Sequence, residues 1–237
     1  MVNIVLLVHD RPKLTMQTLH TLYDNTPVGT FNLTLVDDGS ELTTDGLLGL
    51  WVRQHPDCAL LRIHNSKGIT GQARNLGVYW AETYWGRGDY LYLTDNDMYF
   101  TAGWLNRLTS TLDFFYPRKL RLLGGWNHPY LGKNSELCPD PLVFTHDAVT
   151  GASQMMRWEM WDKYGPLDAH AVGPGQSEDW KFCQDIIKDG GLVGSLHPYV
   201  VFNCGITNSL GADSPGADQM QVQLKQANSQ YPELTWE

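Results

Sequence analysis

Two aspartates with one residue between them, Asp95 and Asp97, follow the apolar run Tyr90-Leu91-Tyr92-Leu93, which stops at Thr94. Side chains two apart on an extended segment point the same way, so these carboxylates repel each other unless a cation stands near them. Hard divalent ions such as Mg2+ and Mn2+ favour oxygen ligands, commonly one or two carboxylates completed by substrate phosphates. The pattern therefore predicts a metal that awaits a diphosphate. A second acidic pair, Asp37 and Asp38, follows the apolar segment 31–36 and precedes a turn glycine. A carboxylate there can accept hydrogen bonds from a nucleobase or a ribose, or can close an Asx-type turn. Lys67 and Arg74 lie in the glycine-rich stretch NSKGITGQARNLG, where basic groups and helix N-terminal amides together favour phosphate oxygens. The third acidic pair, Glu178-Asp179, follows Ser177. Serine is a favoured N-cap and acids suit a first helical turn, so this pair also has a purely structural reading.

The elements that must position these groups alternate in type. VNIVLLV (2–8) is a continuous apolar run, as expected of a parallel strand covered on both faces. Pro12 then opens a helix to about residue 25. Strands over 31–36, 59–63 and 89–94 alternate with helices over 43–54 and 68–85, which predicts a parallel sheet with right-handed crossovers. Further on, we expect a helix over 102–116, a strand over 120–125, a loop over 126–142, one or two strands over 144–157, and helices over 158–165 and 178–190. A strand over 192–203 is expected to close the sheet. A loop over 205–216 and a terminal helix over 217–228 complete the chain. Ligands in open sheets of this kind bind at the carboxyl ends of the strands. Asp37, Asp38, Lys67, Asp95 and Asp97 all fall at or just after such ends and should share one rim.

Bulk properties narrow the function. The 237 residues suit a single domain with a full core, and 42% hydrophobic against 18% charged is the balance of a globular protein. The net charge of −9, from 17 basic and 26 acidic residues, disfavours nucleic acid as the main partner. Nine tryptophans and eleven tyrosines can fill a core or line a sugar-binding cleft. The four cysteines form no C-x-x-C pair, so free thiols in a reducing compartment are expected. No run approaches the ~20 apolar residues of a membrane span, and the N-terminus lacks the form of a signal peptide. The expectation is a cytoplasmic protein without stable membrane insertion.

VHDRP, VDDGS, KGITGQARNLG, TDND and SEDWKFCQDI occur in the order seen in glycosyltransferase family 2-like enzymes of the GT-A fold, and the chain resembles that family over about residues 2–205. The resemblance implies an α/β fold with a Rossmann-like, mostly parallel central sheet flanked by helices, and an irregular acceptor-binding second half. It implies one domain over 1–237: a nucleotide-binding half (1–100), an acceptor-binding and catalytic half (101–205), and a C-terminal loop and helix (206–237). The implied activity is metal-assisted transfer of a sugar, hexosyl or pentosyl, from a nucleotide-diphospho-sugar, first of all a UDP-sugar, to a carbohydrate or other hydroxyl acceptor. Carried over by position, His9, Asp10 and Arg11 border the nucleoside, Asp37 or Asp38 holds the base, and Lys67 and Arg74 lie near the nucleotide or diphosphate. Within the aspartate motif, Asp97 is the main metal ligand, and Asp95, next to Asn96 on the donor side, reaches the ribose or the metal. Mn2+ or Mg2+ is the implied cofactor. Asp179, with Glu178 second, matches the general base of inverting members. Two departures stand out: Ser177 replaces a common glycine, and Asn203 stands where a metal-binding histidine is expected, with His197 nearby as another candidate ligand. Trp126, His128 and Trp180 could stack on an acceptor ring. A DNA base is an acceptor that the charge disfavours. A nucleotidyltransferase, or a non-catalytic carbohydrate-binding protein on the same fold, is the competing reading.

Overall fold

A computed structural model describes residues 1–64, 69–127, 134–139, 141–170 and 177–205. Its first half follows the alternation read above. β1 (Val2–Val8), β2 (Phe31–Asp37), β3 (Cys58–Arg62) and β4 (Tyr90–Asp95) pair in parallel in the order β3-β2-β1-β4. α1 (Pro12–Asp24), α2 (Leu42–Gln54) and α3 (Thr70–Trp85) connect them. β1 shows why a fully apolar strand is needed here. Val2, Ile4, Leu6 and Val8 enter one core layer with α1 and α2, while Val5 enters the other with α3. The period of two in a strand sends alternate side chains to opposite faces, and both faces are covered.

The second half extends the same sheet. Beyond β4 come β9 (Ser153–Arg157), β6 (Leu120–Gly124), β10 (Leu192–His197), β8 (Leu142–Thr145) and β7 (Ser135–Pro139). β9 is antiparallel to both β4 and β6, and β8 is antiparallel to both β10 and β7, so these two alone run against the other seven strands. α4 (Trp104–Phe115) buries Trp104, Leu105, Leu108, Leu112 and Phe115 in the α1–α2 layer. α5 (Trp158–Tyr164) and α6 (Glu178–Lys188) join the α3 layer through Trp158, Met160, Phe182, Cys183 and Ile186.

Two expectations are corrected. The segment 126–142, read as loop, contains β7, which forms an edge of the sheet by pairing with β8. The segment 192–203, read as one closing strand, is divided. β10 lies inside the sheet between β6 and β8, and Pro198, which has no backbone N–H to offer a ladder, follows it. β11 (Val201–Asn203) pairs instead with β5 (Met98–Phe100) in a separate two-stranded sheet. The loop expected over 205–216 and the helix expected over 217–228 lie, from residue 206 onward, outside the described residues.

Candidate active site

The register of the parallel strands puts the acidic groups on one rim. Val8 pairs with Asp37 and Leu7 with Asp95, so β1, β2 and β4 end together and the loops that follow them are neighbours. After β1 the backbone turns sharply. Asp10 and Arg11 both take left-handed conformations, with φ of 51° and 53°, which non-glycine residues seldom adopt. The turn is pinned on both sides. The Asp10 N–H donates to Ser40 Oγ at 2.9 Å, and Asp10 Oδ1 accepts from Glu41 N at 2.7 Å. Buried Asn96 donates its Nδ2 to the Asp10 carbonyl at 3.0 Å and to Thr15 Oγ1 at 2.7 Å. Asn96 therefore joins the end of β4 to the start of α1. Asp37 closes an Asx-type turn by accepting from Ser40 N at 2.9 Å. Buried Asp38 lies beside it, with the exposed His9 ring 3.0 Å from its carbonyl.

This turn brings Arg11 to Asp97, with Nη1 2.9 Å from Oδ2. Asn203, from β11, donates Nδ2 to Asp97 Oδ1 at 3.1 Å and accepts Gly205 N on its own Oδ1 at 2.9 Å. Gly205 lies so close over the carboxylate that a Cβ there would stand 2.2 Å from Asp97 Oδ2. Burial, then the charge of Asp95, push the Asp97 carboxyl up to about 6, against the pull of Arg11.

Arg74 organises the other side. It is 4% exposed, and its Nη2 lies 2.6 Å from Asp95 Oδ1 and its Nη1 3.0 Å from Glu178 Oε1. Burial alone would lower its pKa, but Asp95 and Glu178 more than offset that and hold the guanidinium charged. Burial lifts the Glu178 carboxyl above its ordinary value, again against Arg74. Asp179 accepts from Gly151 N at 2.8 Å on Oδ2, and on Oδ1 from Trp180 N at 2.7 Å and from the Ser177 hydroxyl. Ser177 thus turns its hydroxyl to Asp179 and makes no side-chain cap of α6, although its extended backbone is that of an N-cap.

Asp95 and Asp97 supply the oxygen donors that a hard divalent ion takes, with a diphosphate and water to complete the shell. Buried Asp97 and half-buried Asp95 repel each other and gain from such a charge, so the residues fit the ion. The other candidate ligands sit differently. The amide oxygen of Asn203 faces the Gly205 backbone. His197 ends β10, three strands across the sheet from β4, about 14 Å at ordinary strand spacing. There its Nε2 lies 3.2 Å from Ser195 Oγ, and its ring packs on Phe144 and Tyr199. Trp126 is 2% exposed in the α4 core layer and presents no open face for stacking. Trp180 is half-buried against the α3 layer. Lys67 and His128 lie outside the described residues. Sequence reasoning missed Gly151 as the amide that meets Asp179 and Gly205 as the cover of Asp97.

The glycosyl transferase family 2 profile matches residues 3–116. The fold is GT-A, and just under half of the chain, residues 3–116, resembles glycosyl transferase family 2. The same fold appears in a mannosyltransferase from Pyrobaculum calidifontis, PcManGT, solved with GDP-Man and Mn2+ (TM-score 0.61, 14% identity, 84% of this chain and 58% of that one). It appears in GalNAc-T7, solved with UDP, GalNAc and Mn2+ (TM-score 0.66, 18% identity, 86% of this chain and 43% of that one). It also appears in residues 1–349 of S. aureus TarS (TM-score 0.62, 14% identity, 96% of this chain and 72% of that one). The GT-A chain thus spans about half the length of the first two. No curated protein sequence matches it. Among its described residues, no helix is long and apolar enough to cross a membrane.

Proposed function

We propose that this chain transfers a sugar from a nucleotide-diphospho-sugar to an acceptor hydroxyl, by direct displacement with inversion. The observation that carries the reading is the convergence of Asp95, at the end of β4, Asp97, in the turn after it, and Glu178 and Asp179, at the start of α6, around Arg74 and Arg11. Four carboxylates against two guanidiniums leave a charge deficit that a divalent cation would neutralise. Similar folds solved with GDP-Man and Mn2+, with UDP and Mn2+, and with UDP-GlcNAc support the same donor class.

The β1 turn and the β2 end are assigned to the nucleoside, with Asp38 or Asp37 to take a base N–H and exposed His9 beside them. Asp95 and Asp97 would hold Mn2+ or Mg2+, which supplies Lewis-acid stabilisation of the departing diphosphate. Asp179 takes the proton of the attacking hydroxyl. Three hydrogen bonds fix its carboxylate, and a positioned base of this kind gives on the order of 10²–10⁴-fold in rate. Glu178 is tied to Arg74 and so is less free to serve as the base. Lys67 is assigned to the diphosphate, and His128 and Trp180 to the acceptor, as the family resemblance implies.

The test is thermal stabilisation by UDP-, GDP- and other nucleotide sugars with and without Mn2+, followed by product analysis. Stabilisation that needs the ion, and release of nucleoside diphosphate with an acceptor present, are expected. Release of pyrophosphate would instead identify a nucleotidyltransferase. Binding of glycan with no response to donor or ion would identify a carbohydrate-binding protein.

A further inference from the structure

Arg74 lies where four segments remote in sequence meet: the N-terminal part of α3, the end of β4, the turn before β9 and the start of α6. Both terminal nitrogens are committed to carboxylates, Asp95 at 2.6 Å and Glu178 at 3.0 Å, and the side chain is 5% exposed. Among the described residues its Nε is buried without a hydrogen-bond partner, so the two ion pairs are its polar contacts there. Gly151 forms the wall beside it. A Cβ at that position would stand 2.1 Å from Nη1 and 2.7 Å from Cζ. The same Gly151 donates its N–H to Asp179 at 2.8 Å. One residue therefore seats the guanidinium and orients the neighbouring carboxylate. Gly71, at the start of α3, packs on Glu178 less tightly, since a Cβ there would lie 3.2 Å from the Glu178 Cβ.

We infer that Arg74 is a positioning residue that ties Asp95, on the donor side, to Glu178, at the start of α6, and so sets the separation between donor and Asp179. Glu178 serves as the anchor of this tie and Gly151 as its seat. The alternative is a direct contact of Arg74 with the donor diphosphate. Burial and two occupied nitrogens oppose it, because a guanidinium would have to leave two carboxylates uncompensated to reach a phosphate. The consequence for turnover rests on the transfer activity proposed above. The tie itself does not.

Three variants test it: Arg74→Lys, which shortens the fork, Gly151→Ala, which displaces the guanidinium with no change in charge, and Glu178→Gln, which removes the anchor. Nucleoside diphosphate binding with Mn2+ is measured by calorimetry, which also counts competent sites, and turnover is measured on the same samples. The expected result for Arg74→Lys and Gly151→Ala is an unchanged Kd and stoichiometry with kcat lower by on the order of 10²-fold, the usual cost of misplacing a reacting group by about 1 Å. A Kd that weakens as much as kcat falls would overturn the inference in favour of a donor contact. Wild-type kcat in Gly151→Ala and Arg74→Lys would overturn it outright. If the wild-type chain neither binds nucleoside diphosphate nor turns over, the transfer reading fails separately. The tie is then decided by a double-mutant cycle in denaturant, where Arg74→Lys and Glu178→Gln must be non-additive, and additivity refutes it.

Discussion

Asp97 bears two costs in the absence of a bound cation: burial, and a neighbour of like charge in Asp95. Its carboxyl is pushed up to about 6 from an ordinary 3.8, so the folded chain holds a proton there over a range where the unfolded chain has released it. Stability then falls as pH rises from about 4 to about 6, because the native state binds more protons than the unfolded state across that window. Asp97→Asn lacks this slope. It frees Arg11, which is 36% exposed and can be served by solvent. Denaturant melts without metal should show the variant more stable than wild type at pH 7, by on the order of 1–2 kcal/mol, with the gap closing toward pH 4. The same variant should lose any tightening of nucleoside diphosphate binding by Mn2+. Asp179→Asn belongs to the other step. It keeps the size of the side chain, so donor affinity should persist while transfer falls by on the order of 10²–10⁴-fold in single-turnover assays. Normal turnover by this variant would remove Asp179 from the base role.

At the level of the elements, α6 and β9 bring the second half of the site to the first. α6 buries Phe182, Cys183 and Ile186, and the Cys183 thiol meets the Val149 backbone. β9 is locked between β4 and β6 by Ser153, whose hydroxyl lies 2.7 Å from Tyr92 Oη and accepts from Gly125 N at 3.0 Å. Tyr92→Phe leaves Ser153 its Gly125 partner, so a modest loss of about 1 kcal/mol is expected in chemical denaturation. The cysteines report on the same packing. Cys58 in β3 and Cys183 in α6 are pushed up to about 12 by burial, and Cys204, after β11, is raised by burial and by Asp97. Alkylation at pH 8 followed by mass spectrometry should leave all three unmodified in the folded chain and label them on unfolding, since the thiolate is the reactive form.

For the whole molecule, the nine-stranded sheet separates two apolar layers, and the strands beside the candidate site are the most enclosed. β1 and β4 have a strand on each side and helices on both faces, whereas β3 and β7 stand at the edges. Hydrogen exchange should therefore show β1 and β4 amides opening only with global unfolding and edge amides opening earlier. Protection that is equal across the sheet would contradict this ordering. An enclosed scaffold also explains how the rim can hold repelling carboxylates. The central strands are fixed by packing that does not depend on the site.

The β1-to-β4 half of the fold was legible in the residues because its signals are local. An apolar run, a helical period, Pro12 at a helix start and acids after a strand each declare themselves within a few positions. Asp37, Asp38, Asp95 and Asp97 could be placed on one rim from strand direction alone, whereas Glu178 and Asp179 could not. The reversal of β9, the pairing of β7 with β8 and the departure of β11 toward β5 could not be placed in this way, since a strand's periodicity says which face is apolar and not which partner it will find. The burial of Trp126 and the distance of His197 from Asp97 are likewise outcomes of packing. Arg74 and Glu178 are separated by 104 residues, and each looks like an ordinary polar residue near the start of a helix. Their pairing in a dry seat beside Gly151 exists only once the sheet has brought α3, β4, β9 and α6 together, because only there do desolvation and close contact make one guanidinium the common partner of separate carboxylates.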